Sequence, residues 1–137
     1  MKITLNDLII GAKTIYGEAR GETAEGRVAV GCVIRNRYNL RWRRAKTVAE
    51  VCLAPFQFSC WNESDPNRRI LTEETFDCLE PTFFSCLESM RYILMHKDFD
   101  TTNGATHYHA RQIMPFWAKG VTPCYKVGNH WFYNNIK

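Results

Sequence analysis

Glu18 stands in the stretch Ile15-Tyr16-Gly17-Glu18-Ala19-Arg20-Gly21-Glu22, where an amphipathic helix ends and a turn begins. A carboxyl group at such a helix end, with tyrosine and glycine beside it, can face a groove without full solvation. That is the setting in which a carboxylic acid serves as a general acid. Glu22, Glu25, Glu63 and Asp65 are the carboxylates that could act with it. Glu22 follows one turn later, but Gly21 between them reads as a helix stop. Glu22 and Glu25 equally suit the start of the next helix or the surface.

Three further constellations carry possible chemistry. His107, His109 and His130, with Cys124, could hold zinc and leave an open catalytic position. His-x-His on a strand puts both rings on one face. The spacing is short and common, and pairing with carboxylates, backbone or substrate is the alternative. Ser59 or Cys60 could be a nucleophile with His109 or His130 as base, but no nucleophile-elbow motif accompanies them. The run Arg35 to Lys46, holding Tyr38 and Trp42, could bind single-stranded nucleic acid. Its plainer reading is a helix C-terminus with dipole-favourable arginines and a solvated loop. Nothing else in the chain resembles a nucleic-acid module.

The elements that must position these residues follow from apolar spacing. Leu5, Leu8, Ile9, Ala12, Ile15, Tyr16 and Ala19 form one stripe, and Thr4 or Asn6 can cap that helix. Glu18 lies at the stripe's edge. A second helix runs from about Thr23 to Tyr38, apolar on most sides, and reads as the buried central one. Gly26 and Gly31 within it allow close packing. Thr47 to Leu53 reads as a short helix ended by Pro55. Phe56 to Asn62 is aromatic and polar without periodicity. Glu63 to Arg69 reads as loop and Leu71 to Leu79 as a short helix. Pro81 opens a longer helix, with Phe83, Phe84, Leu87, Met90 and Leu94 on its core face. After a turn-rich connection over Asp98 to Gly104, Ala105 to His109 and Lys126 to Tyr133 read as extended segments. The expectation is an α+β fold, mostly helical with a small β-like lobe.

With 137 residues the chain suits one domain and one core. A net charge of +4 favours anionic partners without naming one. The N-terminal residues lack a signal-peptide core, and no run reaches transmembrane length. The expectation is synthesis in the cytoplasm, without stable membrane insertion. The six cysteines contain no Cys-x-x-Cys pair, so buried free thiols are expected for most of them.

The block Tyr16-Gly17-Glu18-Ala19-Arg20-Gly21-Glu22 resembles the SleB-like cell-wall hydrolase family, which includes spore-cortex-lytic enzymes and small endolysin-like proteins of proteobacteria and their phages. The resemblance continues through Gly26 to Val30, Val33 to Arg37, Thr47 to Cys52 and Gln57 to Trp61. It resumes at Gly104 to His109, Pro115 to Ala118 and Val127 to Tyr133. The ordered set covers nearly the whole chain.

The resemblance implies a lysozyme-like single domain over residues 1–137, related to lytic transglycosylases and resuscitation-promoting factors. It implies cleavage between N-acetylmuramic acid and N-acetylglucosamine in peptidoglycan glycan strands, with Glu18 on the family's catalytic glutamate and no cofactor. Gln57, Ser59, Trp61, Tyr108, His109 and His130 would then bind or position the glycan. The His107-Tyr108-His109 block looks like the proteobacterial and phage branch. That implies a phage or prophage lysis enzyme, reaching the wall or periplasm through a holin or another export route. Two rival functions stay open at this point: a zinc-dependent amidase using His107, His109 and His130, and a nucleic-acid-binding module using Arg35 to Lys46.

Overall fold

The computed structural model describes residues 2–136. Five helices come first: α1 (Leu5–Ala19), α2 (Ala24–Asn39), α3 (Val48–Leu53), α4 (Pro66–Thr72) and α5 (Pro81–Met95). Three short strands follow: β1 (His107–Ala110), β2 (Tyr125–Val127) and β3 (His130–Tyr133). They form one antiparallel sheet in the order β1-β3-β2.

Local chemistry accounts for the helix starts. Thr4 and Asp7 form a reciprocal capping box on α1. Asp7 also accepts the backbone N–H of Ala49, which ties α1 to the first turn of α3. Thr23 caps α2 and Thr47 caps α3 through their hydroxyls. Pro81 fills the first position of α5, and Glu80 accepts the free N–H groups of Thr82 and Phe83.

The core lies where α1, α2 and α5 cross. Ile15, Val30, Val33, Ile34, Met90 and Ile93 are buried there. Gly31 makes the crossing possible. A Cβ at this position would stand 2.6 Å from Ile93 Cδ1 and 3.1 Å from Ile15 Cδ1. Arg35 is also fully buried, because it closes the end of α5. Its guanidinium donates to the carbonyls of Ile93, His96 and Phe99. These include carbonyls a helix end leaves without partners.

Several sequence expectations change. Residues 63–69 are not all loop: Asp65 caps α4, and Pro66 occupies its first turn. The helix expected over Leu71 to Leu79 does not form. After α4 the chain turns, and Leu79 is 80% exposed. Phe84 faces solvent rather than the core. The helix does stop before Gly21: α1 ends at Ala19 with Arg20 as its cap, in right-handed geometry. All six cysteines are free. Cys32, Cys52, Cys60 and Cys86 are buried, Cys124 is half-buried and Cys78 is exposed.

The sheet has two differently occupied faces. Register places His107 and His109 with Tyr133 and Trp131 on one face. Trp117, from the 3-10 turn Phe116–Ala118, covers that face against His107, His109 and Tyr133. Tyr108, Phe132 and His130 share the opposite face, toward the helices.

Candidate active site

A cleft of about 440 Å³ opens between the end of α1, the Phe56–Ser59 segment and the sheet. Glu18 is half-buried in its wall. Its placement depends on Gly17. A Cβ there would stand 2.7 Å from Cys60 Cβ, so only glycine lets the Ser59–Trp61 turn approach α1 this closely.

The approach gives Glu18 fixed partners. Oε2 accepts the backbone N–H of Cys60 at 2.9 Å and the Ser59 hydroxyl at 3.2 Å. Oε1 accepts the hydroxyl of Tyr108, on β1. The Tyr108 hydroxyl end is enclosed, and burial first, then the adjacent Glu18, push its phenol well above the usual range. Tyr108 therefore stays a donor and holds the carboxyl in one orientation.

No other carboxylate lines this cleft among the described residues. Glu22 turns to the β2–β3 turn, accepting the Asn129 backbone N–H at 2.9 Å and its side-chain amide at 3.3 Å. Asp65 is spent on capping α4. Glu63 and Glu25 are exposed and outside the lining.

The remaining expected site residues separate. Ser59, Gln57, Tyr108, His109 and His130 line the cleft. Gln57 is internally occupied: its carbonyl oxygen accepts Trp42 Nε1 at 3.0 Å. His109 is only 8% exposed, stacked on Tyr133, with contacts to the Tyr133 hydroxyl and the Ala110 carbonyl. That leaves no free ring face for a sugar. Trp61 lies outside the lining, packs on the core and donates Nε1 to Thr14 Oγ1 at 2.9 Å.

His130 lies edge-on to Tyr108, with Nδ1 4.0 Å from Glu22 Oε1. That distance is too long for a hydrogen bond. Burial lowers its pKa and outweighs the pull of Glu22 and Glu18, so the ring is neutral near pH 7.

This geometry overturns two readings and weakens a third. The zinc set does not converge, because His107 and His109 face Trp117 while His130 lies on the other side of the sheet. Cys124 Sγ instead donates to the Thr102 carbonyl. No group of three potential ligands exists among the described residues. The Cys60 thiol is buried and its pKa is pushed up by burial and Glu18, which removes it as a nucleophile. Ser59 bonds to Glu18, not to a histidine. The basic run does not form one face either, since Arg35 and Arg37 turn inward.

Arg37, Asn67, Phe56 and Ile113 also line the cleft, and sequence reasoning missed them as site residues. Arg37 carried a readable signal. It continues the buried Val30, Val33, Ile34 stripe of α2, where a charge needs a reason.

The fold is that of a small, mostly helical α+β domain of the lysozyme-like type. The family model described as Cell Wall Hydrolase matches residues 21–133, and the chain belongs to that family. The match begins just past Glu18. Among solved structures, the catalytic domain of the germination-specific lytic transglycosylase SleB from Bacillus anthracis superposes with a TM-score of 0.71 at 25% identity, covering 95% of each chain. The catalytic domain of the Bacillus cereus SleB protein superposes with a TM-score of 0.57 at 21% identity, covering 96% of this chain and 92% of that one. Spore cortex-lytic enzymes of Oceanobacillus iheyensis and Bacillus subtilis are 59% and 56% identical over 34 residues. Those stretches make up 25% of this chain but only 12% and 11% of the two relatives.

Proposed function

We propose that this protein is a peptidoglycan lytic transglycosylase that uses Glu18 as its acid and base. The carrying observation is a cleft whose only carboxylate, among the described residues, is one oriented glutamate. Hydrolysis by inversion or retention needs a second carboxylate to activate water or to form a covalent intermediate. Intramolecular transglycosylation does not, because the substrate brings its own nucleophile.

In this reading protonated Glu18 gives its proton to the glycosidic oxygen between the muramic sugar and N-acetylglucosamine. The C1–O bond breaks, and positive charge develops on C1 and the ring oxygen. The C6 hydroxyl of the same sugar attacks C1 and returns a proton to Glu18. The products are a 1,6-anhydromuramic end and a free 4-hydroxyl. Tyr108, Ser59 and the Cys60 N–H keep the carboxyl fixed through both transfers, so little reorganisation accompanies the reaction. His130 and Asn67 border the cleft as contacts for the glycan.

The test is mass spectrometry of digested sacculi. Anhydromuramic ends are expected; reducing muramic ends would show that water wins, and released stem peptides would show an amidase. Glu18→Gln should abolish turnover with the fold retained, and normal activity in that variant would refute the assignment. Activity should persist in a chelator.

The finer biological reading is a phage or prophage lysis enzyme, made in the cytoplasm and acting on the wall after passage through a holin or another export route. The resemblance of the His107-Tyr108-His109 block supports it. No helix among the described residues is long and apolar enough to cross a membrane. Expression with and without a co-expressed holin tests it: lysis only with the holin is expected.

A further inference from the structure

A second cavity, of about 290 Å³, adjoins the Glu18 cleft. The two share Arg37, Phe56, Gln57 and Tyr108, so they form one bent groove. The side arm adds Trp42, Trp117, His107 and Arg43 as its own walls. It holds two cations and no carboxylate.

Arg37 is the first sign that this arm is built for an anion. It is 5% exposed, and its Nε donates to the Thr106 carbonyl at 2.7 Å. Its Nη1 is buried with no hydrogen-bond partner. No carboxylate lies within ion-pair distance of it among the described residues. The rings of Trp42 and Phe58, at 5.2 and 5.0 Å, offset part of the charge. A buried guanidinium with a donor unspent is costly unless a partner arrives.

Arg43 is the second sign. It sits exposed on the rim of the arm at φ 52, in left-handed backbone. Arg41 and Arg44 beside it share that region, at φ 51 and 63. Such backbone is unfavourable for residues with a Cβ. The loop thus holds a cation over the arm at some conformational cost.

We propose that the side arm is the subsite for a carboxylate-bearing substituent of the glycan. Two sources share that chemistry: the lactyl carboxylate of a peptide-free muramic sugar, and the carboxylates of a peptide attached there. The inference rests on the transglycosylase reading, which places the glycan at Glu18. The carboxylate pairs with Arg43 at the rim and with the unspent donor of Arg37 further in. Trp42 and Trp117 pack on the apolar part of the substituent.

Soluble glycan oligomers in three forms test this. One bears peptides, one is stripped by an amidase to leave free lactyl carboxylates, and one bears peptides whose carboxyls have been converted to amides. The amidated form should show a KM about tenfold above the peptide-bearing form, the loss of one good charged contact. Arg43→Gln should raise KM on the peptide-bearing form to the same level and change the amidated form little. A stripped-form KM about tenfold below equal peptide-bearing and amidated values assigns the arm to the lactyl carboxylate, which is an amide in both of those forms; one as low as the peptide-bearing form, with the amidated form higher, shows that the arm takes either carboxylate. One as high as the amidated form assigns it to the peptide. Equal KM for all three forms overturns the proposal, as does undiminished discrimination in Arg43→Gln. Failure to cleave any of the three forms overturns the transglycosylase reading itself, and the side arm with it.

Discussion

The Tyr108 hydroxyl donates to Oε1 of Glu18 from a strand ninety residues further along the chain. The ring that carries it is braced by Phe132 and His130. Tyr108→Phe keeps that packing and removes only the donor. A hydrogen bond of this kind contributes about 1 kcal/mol net, somewhat more to a charged acceptor. Turnover should fall at least about tenfold while KM stays within about twofold, because the lost contact positions the acid and touches no sugar. Steady-state kinetics on soluble glycan oligomers reads the split. An unchanged kcat would mean that the Cys60 and Ser59 donors alone hold Glu18.

Gly17 sets how near the Ser59–Trp61 turn comes to α1. In Gly17→Ala the added methyl meets Cys60 Cβ at 2.7 Å and Leu71 Cδ1 at 2.9 Å. The first is anchored to backbone, so the turn must retreat. Overpacking of this kind costs about 1–3 kcal/mol. The retreat also lengthens the Cys60 N–H contact to Glu18. Chemical denaturation should show the stability loss, and turnover should fall further than the stability loss alone explains. A destabilised variant with full turnover would uncouple the turn from the acid.

The parts of this fold written in local patterns were legible. The α1 stripe, the Thr4 cap and the Pro81 start all speak through neighbours a few residues apart. The α4 helix was missed because its apolar content is slight, with Leu71 alone buried in it. Its start was nonetheless written in Asp65-Pro66, a cap followed by proline. The site divided along the same line. Glu18 announced itself by position at a helix end. The failure of His107, His109 and His130 to converge depends on strand register, and the placement of Trp61 outside the cleft lining depends on Thr14, which lies far off in sequence. Arg37 was visible as a charge on a buried stripe, but its empty donor exists only once Thr106 and Trp42 are in place.

Phe56 stands at the mouth of both cavities with φ 61 and 85% of its surface exposed. Left-handed backbone costs a Cβ-bearing residue roughly 1–2 kcal/mol, and an exposed ring gains little from burial in return. Glycine relieves the strain but loses more chain entropy on folding, about 0.5–1 kcal/mol. Phe56→Gly should therefore keep or slightly raise the melting temperature. Its KM for glycan should rise several-fold, since the ring is the apolar lip where the two arms of the groove meet. A variant with lower stability and unchanged KM would make the ring structural instead.

His107 gives the fold an acid-sensitive edge. Burial, with Arg37 adding to it, lowers its pKa from the ordinary 6.5 to about 4. The unfolded chain takes up a proton near pH 6.5, while the folded chain resists until about pH 4. In that window the unfolded state binds more protons, so stability is complete above pH 6.5 and falls as the solution is acidified toward pH 4. The loss from this one ring is on the order of 2–3 kcal/mol. His130, whose pKa is also lowered, adds in the same direction. Asp100, held below the usual carboxylate range by its Thr102, Asn36 and Gly104 donors, loses its contribution only at lower pH. Urea unfolding of the parent at pH 7 and pH 4.5 should show the drop, and His107→Gln should show a smaller one. Identical drops in both proteins would transfer the acid sensitivity to His130 and the carboxylates.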